Sequence, residues 1–218
     1  MSINISQETN EVFDQIVSAR RTVRKFRNDI PPKEVIEQVI RAGILAPYAG
    51  LALSTIENNR RFIVFEKDSD NMVKAREIIT SQLKVSAKKF NILTKVIPYL
   101  RKNGKAFAKA LNNMSQNGIP AFETAPYYIV VAERKGFPPA EKQSLAHVMQ
   151  NMWLKSTALG LGFQLLSATQ TLSKNRDFID LLGITLGEFE IDGCVIGYPD
   201  QTPPKRKEIV VNEFTTWL

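Results

Sequence analysis

The sequence predicts a mixed β-sheet covered by helices. Three observations lead there. Four short apolar runs have the length and residue types of buried strands, around residues 62–65, 127–131, 163–166 and 191–198. Segments with helical apolar spacing are interspersed between them. The composition, 44% hydrophobic and 23% charged over 218 residues, is that of an ordinary globular chain, which excludes wholesale disorder, collagen and coiled coil.

Taken in order, Val12, Phe13, Ile16 and Val17 have helical spacing. A polar, basic string follows from Ser18 to Phe26. Pro31 and Pro32 open a second helix, where proline suits the first turn. Its positions Val35, Ile36, Val39, Ile40, Ile44 and Leu45 predict one buried stripe, and Pro47 predicts its end. Residues 48–59 read as a loop, and Phe62 to Phe65 as the first strand. Asp70 is a candidate cap for a helix to about Leu83. Basic helical segments then run from Val85 to Asn113, broken at Pro98 and Gly104, with Val96, Ile97, Leu100, Phe107 and Leu111 facing a pocket or a partner.

Pro126 precedes the second strand, and residues 136–139 form a turn. Leu145, Val148, Met149, Met152 and Trp153 make a helical stripe lasting to about Leu159, where Gly160-Leu161-Gly162 breaks it. A third strand, a short helix near 178–182 and a fourth strand ending at Pro199 complete the pattern. No boundary divides the chain into two cores, so one domain is expected over residues 1–218, with the basic segment at about 85–122 as an insertion or lid.

Composition also restricts the chemistry. Cys194 and His147 are the only residues of their kinds, too few for a zinc site or a disulfide within one chain. Cys194 lies in an apolar strand and reads as inert core; His147 lies in an apolar-periodic helix and reads as a packing or hydrogen-bonded residue rather than a catalyst. No stretch approaches a membrane span and residues 1–11 do not form a secretory signal, which together with the lone cysteine points to the cytoplasm. Gly-x-Ser-x-Gly, the P-loop and Gly-x-Gly-x-x-Gly are all missing, and no paired-carboxylate motif stands out.

The net charge of +7 is unevenly spread. From Ile78 to Phe122 there is no acidic residue, whereas Lys84, Lys88, Lys89, Lys95, Arg101, Lys102, Lys105 and Lys109 fall in that stretch. Such a block either attracts anions or is the solvated face of surface helices. Two further basic clusters, Arg20-Arg21-Thr22-x-Arg24 and Lys205-Arg206-Lys207, have the donors to converge on one phosphate.

Several strings, in order and at suitable spacing, resemble the FMN-dependent nitroreductase family. They are Ser18-Ala19-Arg20-Arg21-Thr22-Val23-Arg24-Lys25-Phe26 with the helix to Arg41-Ala42-Gly43-Ile44-Leu45-Ala46-Pro47; Ala125-Pro126-Tyr127-Tyr128-Ile129-Val130-Val131; Gln150-Asn151-Met152-Trp153-Leu154 through Gly160-Leu161-Gly162; and Ile196-Gly197-Tyr198-Pro199 before Pro203-Pro204-Lys205-Arg206. The resemblance implies an α+β fold, a mixed, largely antiparallel sheet covered by helices, homodimeric with FMN at the interface. It implies that Arg20, Arg21, Thr22 and Arg24 hold the phosphate, ribityl chain and pyrimidine edge, and that Lys205 and Arg206 complete the phosphate site. Pro47, Tyr48 and Ala49 match positions that meet the flavin from the partner subunit. Leu165, Leu166, Ser167 and Ala168 match the segment along the isoalloxazine ring, with a backbone N–H near Ser167 or Ala168 facing N5. Two features depart from the pattern: the string after Pro47 is longer, with Leu51 where Asn is common, and the basic insertion is large.

The resulting expectation is an oxidoreductase that takes hydride from NADH or NADPH onto FMN and reduces nitroaromatics, quinones or related small-molecule acceptors by a ping-pong mechanism. No side chain need act as catalyst, because flavin N5 carries the chemistry. Neither metal, membrane nor nucleic acid is expected as a partner. The apolar tail at 208–218, with Ile209, Val210, Val211 and Phe214, is expected to pack on the partner subunit. Two other readings remain open: a basic nucleic-acid-binding protein, and a flavin-binding protein without nicotinamide turnover.

Overall fold

The strand at residues 127–134 reads YYIVVAER and is buried along all but its last residue. A strand apolar on both sides needs cover on both faces, and the chain supplies it. The computed structural model describes residues 6–48, 56–201 and 209–218. Along it run α1 (Gln7–Ala19), α2 (Lys33–Ile44), the short α3 (Ile56–Asn59), β1 (Arg60–Glu66), α4 (Asp70–Val96), α5 (Pro98–Asn103), α6 (Lys105–Asn117) and α7 (Pro120–Thr124). There follow β2 (Tyr127–Arg134), α8 (Glu141–Ala158), β3 (Gly162–Leu165), a 3-10 turn (Thr169–Leu172), α9 (Arg176–Leu181) and β4 (Phe189–Gly197).

The four strands form one sheet in the order β1-β2-β4-β3, and every pairing between them is antiparallel. A single parallel bridge, Thr22 to Phe163, lies outside these strands. The period-2 alternation of a strand divides β2 between two cores. Tyr128, Val130 and Ala132 join a layer with Met72, Ile79 and Leu83 of α4, Phe122 of α7 and Phe178 of α9. Tyr127, Ile129 and Val131 join the opposite layer with Ile36 and Val39 of α2 and Val148 and Met152 of α8. The architecture is the α+β sheet-and-helix arrangement that the sequence pattern predicts.

Local chemistry explains the element ends. Ser69 caps α4, its hydroxyl accepting from the Met72 N–H at 3.2 Å. Gly160, at φ +70°, takes the left-handed position past α8, and the Leu161 N–H closes onto the Ser156 carbonyl at 2.8 Å.

Three elements differ from the sequence reading. The helix expected to stop near Leu83 continues without interruption to Val96. Nothing between Asp70 and Val96 is glycine or proline, and the first breaker is Pro98, which holds Ile97 extended. The predicted stripe of α2 is buried only at Ile36 and Val39 among its large apolar positions, while Ile44 and Leu45 are 42% and 76% exposed. The predicted loop ends in the short helix α3.

Candidate functional site

The cationic segment after α1 is held by three elements. The Val23 N–H donates to the Phe163 carbonyl at 3.1 Å, laying the segment beside β3. The Trp153 indole N–H of α8 donates to the Arg21 carbonyl at 3.1 Å. Trp153 also stacks on Phe163, with ring centroids 5.0 Å apart, and carries the Arg20 guanidinium over its ring, 4.3 Å from the centroid. Arg21 turns back onto the Ser18 and Arg20 carbonyls. Arg24 is exposed, and Thr22 is half-buried. Further along, Phe26 bridges to Pro199, and Lys25 pairs with Asp200 at 2.8 Å. The chain leaving β4 therefore runs past this segment. Lys205 and Arg206, which follow it, lie outside the described residues, as does Ala49.

Close approach to β3 requires a glycine. A Cβ at Gly162 would stand 2.8 Å from Val23 Cγ1 and 3.0 Å from Phe26 Cε1. Gly162 thus fixes how near the arginine segment comes to the sheet.

Leu165, Leu166, Ser167 and Ala168 form the corner between β3 and the 3-10 turn. The Leu166 N–H is bonded to the Gly193 carbonyl at 2.7 Å, and the Thr169 N–H to the Leu166 carbonyl at 2.9 Å. The N–H groups of Ser167 and Ala168 have no acceptor among the described residues. This corner is one wall of a cavity of about 380 Å³. The facing wall comes from the basic insertion: Leu83, Phe90 and Leu93 of α4, and Phe107, Leu111 and Met114 of α6. Phe90 and Phe107 meet edge to face with centroids 4.9 Å apart. Gln164 adds a buried amide oxygen with no hydrogen-bond partner among the described residues. An unpaired buried acceptor at a cavity wall is a position where a ligand N–H gains a full hydrogen bond.

Pro47 and Tyr48 are elsewhere. They follow α2 at the β1 edge, whereas Leu165 is on β3, the opposite edge of the sheet. Three strand spacings of about 4.8 Å separate the edges, roughly 14 Å in all. One chain therefore does not bring Pro47 and Tyr48 to the Leu165–Ala168 corner. Their anchor is Arg60, whose side chain is 1% exposed. Its guanidinium donates to Glu133 at 2.9 Å, Ser144 Oγ at 2.9 Å, and the Ala46 and Pro47 carbonyls at 3.0 and 3.3 Å. Arg60 thus satisfies carbonyls left open at the C-terminal end of α2. It also lies 5.7 Å from the Tyr48 ring centroid. Burial lifts the Glu133 carboxyl above the ordinary glutamate value, against the opposing pull of Ser144 and Arg60.

The remaining ionisable groups have structural surroundings. Asp192 is buried and accepts from Gln170 at 2.9 Å and from the Gly193 N–H at 2.8 Å, with burial raising its carboxyl. Cys194 is fully buried, and burial pushes its thiol up. His147 is exposed on α8, so it is not the packing residue the helix periodicity suggested. Among the described residues, no group of three or more His, Cys, Asp or Glu side chains is placed to hold a metal, and no helix is long and apolar enough to cross a membrane.

Sequence reasoning missed Arg60, Trp153 as the clamp on the arginine segment, and Gln164. Arg60 had a signal, since Arg60-Arg61 opens an otherwise apolar strand. The other two follow only from which strand lies beside which.

Residues 17–198 match the model of the nitroreductase family. Curated relatives include iodotyrosine deiodinase 1 of Mus musculus, 29% identical over 123 residues, and of Sus scrofa, 28% over 138 residues. These matches take in 56% and 62% of this chain but only 37% and 42% of the relatives, so the chain spans less than half their length. Among solved structures, an FMN-bound nitroreductase from Bacteroides fragilis superposes with a TM-score of 0.68 at 17% identity, covering 94% of this chain and 98% of that one. An iodotyrosine deiodinase bound to FMN and 3-iodo-L-tyrosine gives 0.64 at 21% identity, covering 94% of this chain and 100% of that one. At these identities the structures share the fold. The family match spans most of the sequence, and the chain belongs to the nitroreductase family.

Proposed function

We propose that this member of the nitroreductase family is a homodimeric oxidoreductase with FMN at its subunit interface. It takes electrons from NADH or NADPH and passes them, in a ping-pong cycle, to a small electrophilic acceptor such as a nitroaromatic or a quinone. The observation that carries the reading is the Leu165–Ala168 corner. It presents two N–H groups that have no acceptor among the described residues on the wall of an apolar cavity, beside the strand to which the arginine segment is tied.

Bound FMN supplies reversible two-electron transfer. The chain's task is to hold and orient it. Arg20, Arg21, Thr22 and Arg24, with Lys205 and Arg206, supply donors for a phosphate and a ribityl chain, and planar guanidinium groups suit phosphate. The Ser167 and Ala168 N–H groups, with Gln164 Oε1, supply hydrogen bonds for a polar ring edge. Leu165 and Leu166 supply apolar surface and keep water out. Pro47, Tyr48 and Ala49 meet the ring from the other protomer in this reading; Pro47 and Tyr48 follow α2 at the β1 edge of their own sheet, away from the Leu165–Ala168 corner.

Unpartnered apolar surface supports the dimer. Phe13 of α1, Leu45 after α2, and Phe214 and Trp217 of the tail are between 54% and 88% exposed. The tail beyond residue 208 packs on the partner subunit in this reading. The buried thiol of Cys194 suits a reducing cytoplasm.

The test is the visible absorption spectrum after FMN is added and the excess removed, then again under anaerobic NADH and NADPH. Retained flavin bands that bleach with nicotinamide are the expected result; no retained flavin overturns the reading. Arg20→Ala should weaken FMN retention by about 1.5–3 kcal/mol, the contribution of one charged hydrogen bond. A second reading, reductive removal of iodine from an iodinated aromatic, draws on the deiodinase relatives. Iodide release under the same conditions distinguishes it.

A further inference from the structure

The long helix α4 carries two apolar stripes. One faces the core, through Met72, Ala75, Ile79, Leu83 and Ala87. The other lies on the opposite side of the helix, where Val85, Ile92 and Val96 share one face and all stand exposed, Val96 by 70%. This outer stripe runs to the corner with α5, where Ile97 and Tyr99 also stand in water. Cations frame it. Lys88 and Lys89 flank it on α4, and Lys95, Arg101 and Lys102 are exposed around its end. At that corner Thr94, Lys95, Arg101 and Lys105 line one hollow, and Arg101 is fixed there by donating to the Lys95 carbonyl. Like charges held this close repel, and anions set among them relieve the repulsion. The acidic residues nearest in sequence, Glu77 and Glu123, sit with Arg76 and Lys84 in a separate hollow nearer the start of α4.

We propose that the outer face of α4 and its corner with α5 dock on an anionic lipid surface. Ile92, Val96, Ile97 and Tyr99 enter the boundary between headgroups and acyl chains, while Lys88, Lys95, Arg101 and Lys102 meet the lipid phosphates. Tyrosine suits that depth, because its ring is apolar and its hydroxyl stays wet. Docking of this kind buries one face of a helix and spans nothing, so the lack of a spanning helix among the described residues does not oppose it. It does run against the sequence expectation of no membrane partner, which rested on the lack of a span. The pattern favours lipid over nucleic acid. Aliphatic side chains gain by leaving water for an acyl region, whereas single strands gain from aromatic platforms on which bases stack. The face is distinct from Phe13, Leu45, Phe214 and Trp217, the apolar side chains assigned to the dimer, and it uses nothing assigned to the flavin.

The experiment sediments the protein, with FMN added, in the presence of two kinds of vesicle: phosphatidylcholine alone, and equal parts of phosphatidylcholine and phosphatidylglycerol. Binding to the mixed vesicles is expected to be about tenfold tighter or more, and to weaken as salt is raised from about 0.1 to about 1 M. The double variant Ile92→Ser/Val96→Ser should bind the mixed vesicles roughly tenfold more weakly. Lys95→Gln/Arg101→Gln should lose about as much or more. All four side chains are exposed, so both variants should keep the parent's FMN retention and oligomeric state. Equal binding to the two vesicles, or binding to neither, overturns the proposal. So does undiminished binding by the serine variant, which reduces the surface to a basic patch. A serine variant with a changed oligomeric state assigns the face to a second copy of the chain and overturns it too. A single-stranded oligonucleotide that binds more tightly than the mixed vesicles, and fails to bind the glutamine variant, overturns it in favour of nucleic acid. Loss of flavin retention with vesicle binding intact overturns the flavin reading alone.

Discussion

Two charged regions of this chain are built on opposite principles. At the start of β1, Arg60 is enclosed, and each neighbour is chosen for it: Glu133, Ser144 and the carbonyls that end α2. Between Ile78 and Phe122, along most of α4 and through α5 and α6, eight lysines and arginines share no acidic residue in their own stretch of sequence, and apolar side chains such as Val96, Tyr99 and Phe107 stand exposed among them. The first region uses charge to hold backbone in place. The second leaves its charge on the surface, with Lys89 alone among its cations in the described lining of the cavity. A buried ion has a large desolvation penalty and must be paired, whereas a surface cation needs no partner and acts at a distance. The two regions should therefore respond to substitution differently: the enclosed one with a large loss of stability, the exposed one with a small loss.

The sharpest way to break this contrast is at Arg60. Arg60→Met should destabilise the protein by about 3–5 kcal/mol, because it strands a buried carboxylate and frees the α2 carbonyls. The double variant Arg60→Met/Glu133→Leu should recover much of the loss. Both are read by chemical denaturation. The pH dependence supplies a sign. A carboxyl lifted by burial holds its proton more tightly folded than unfolded, so its stabilising contribution is complete below the ordinary glutamate value and is lost as pH rises through the lifted one. Without Arg60 the lift is larger. The deficit of Arg60→Met should therefore shrink as pH is lowered from about 8 to about 5. A single variant no less stable than the parent would place Arg60 with the surface cations.

The arginine segment, held beside β3, belongs to neither region, and Gly162 tests how firmly it is set. An alanine Cβ there meets Val23 at 2.8 Å and Phe26 at 3.0 Å, both buried. Neither side chain has a free end to swing aside, so the segment must shift. Gly162→Ala should cost about 1–3 kcal/mol of stability. It should also reduce FMN retention, because Val23 stands between Thr22 and Arg24. Lost stability with unchanged flavin affinity would separate the segment from the cofactor.

How much of this was legible in the sequence depends on which force decides each feature. Strands such as Tyr127 to Val131 were visible because burial on both faces leaves an uninterrupted apolar run. The helix ending at Leu159 was visible because Gly160 is needed at positive φ. The false break in α4 came from a change of composition near Leu83, where apolar spacing gives way to lysines; a helix follows its backbone and stops only at Pro98. Ile44 and Leu45 fit a helical stripe but stand 42% and 76% exposed, so periodicity alone overstated their burial within one chain. In the site, the resemblance implied a ring-facing role for Leu165 to Ala168, and a cavity lies against them. Its opposite wall was half legible: Phe107 and Leu111 were singled out as pocket or partner residues, whereas Phe90 and Leu93 follow only from the continuity of α4. Trp153 was quoted as part of a helix motif, yet its grip on Arg20 and Arg21 depends on α8 crossing behind β3. Such long-range contacts leave no mark in local spacing.

The smallest expected effect on stability, and the best discriminator between the two regions, comes from Phe107→Ala. Phe107 is 55% exposed and rests edge-on against Phe90. An aromatic pair of this geometry adds about 0.5–1.5 kcal/mol beyond area burial, and half the ring is already in water. Behind it, α4 and α6 remain joined by the Asn91–Asn112 amide pair, at 2.9 and 3.3 Å, and by buried Leu111 against the main core. Global stability should fall by about 1 kcal/mol or less. Affinity for an aromatic ligand in the cavity should fall more, because the lost ring is a wall of that cavity and water enters where it stood. Denaturation and calorimetry on the same variant give both numbers. A stability loss approaching that of Arg60→Met would mean that the insertion is part of the framework, and that its lysines are tolerated by the fold rather than used by the site.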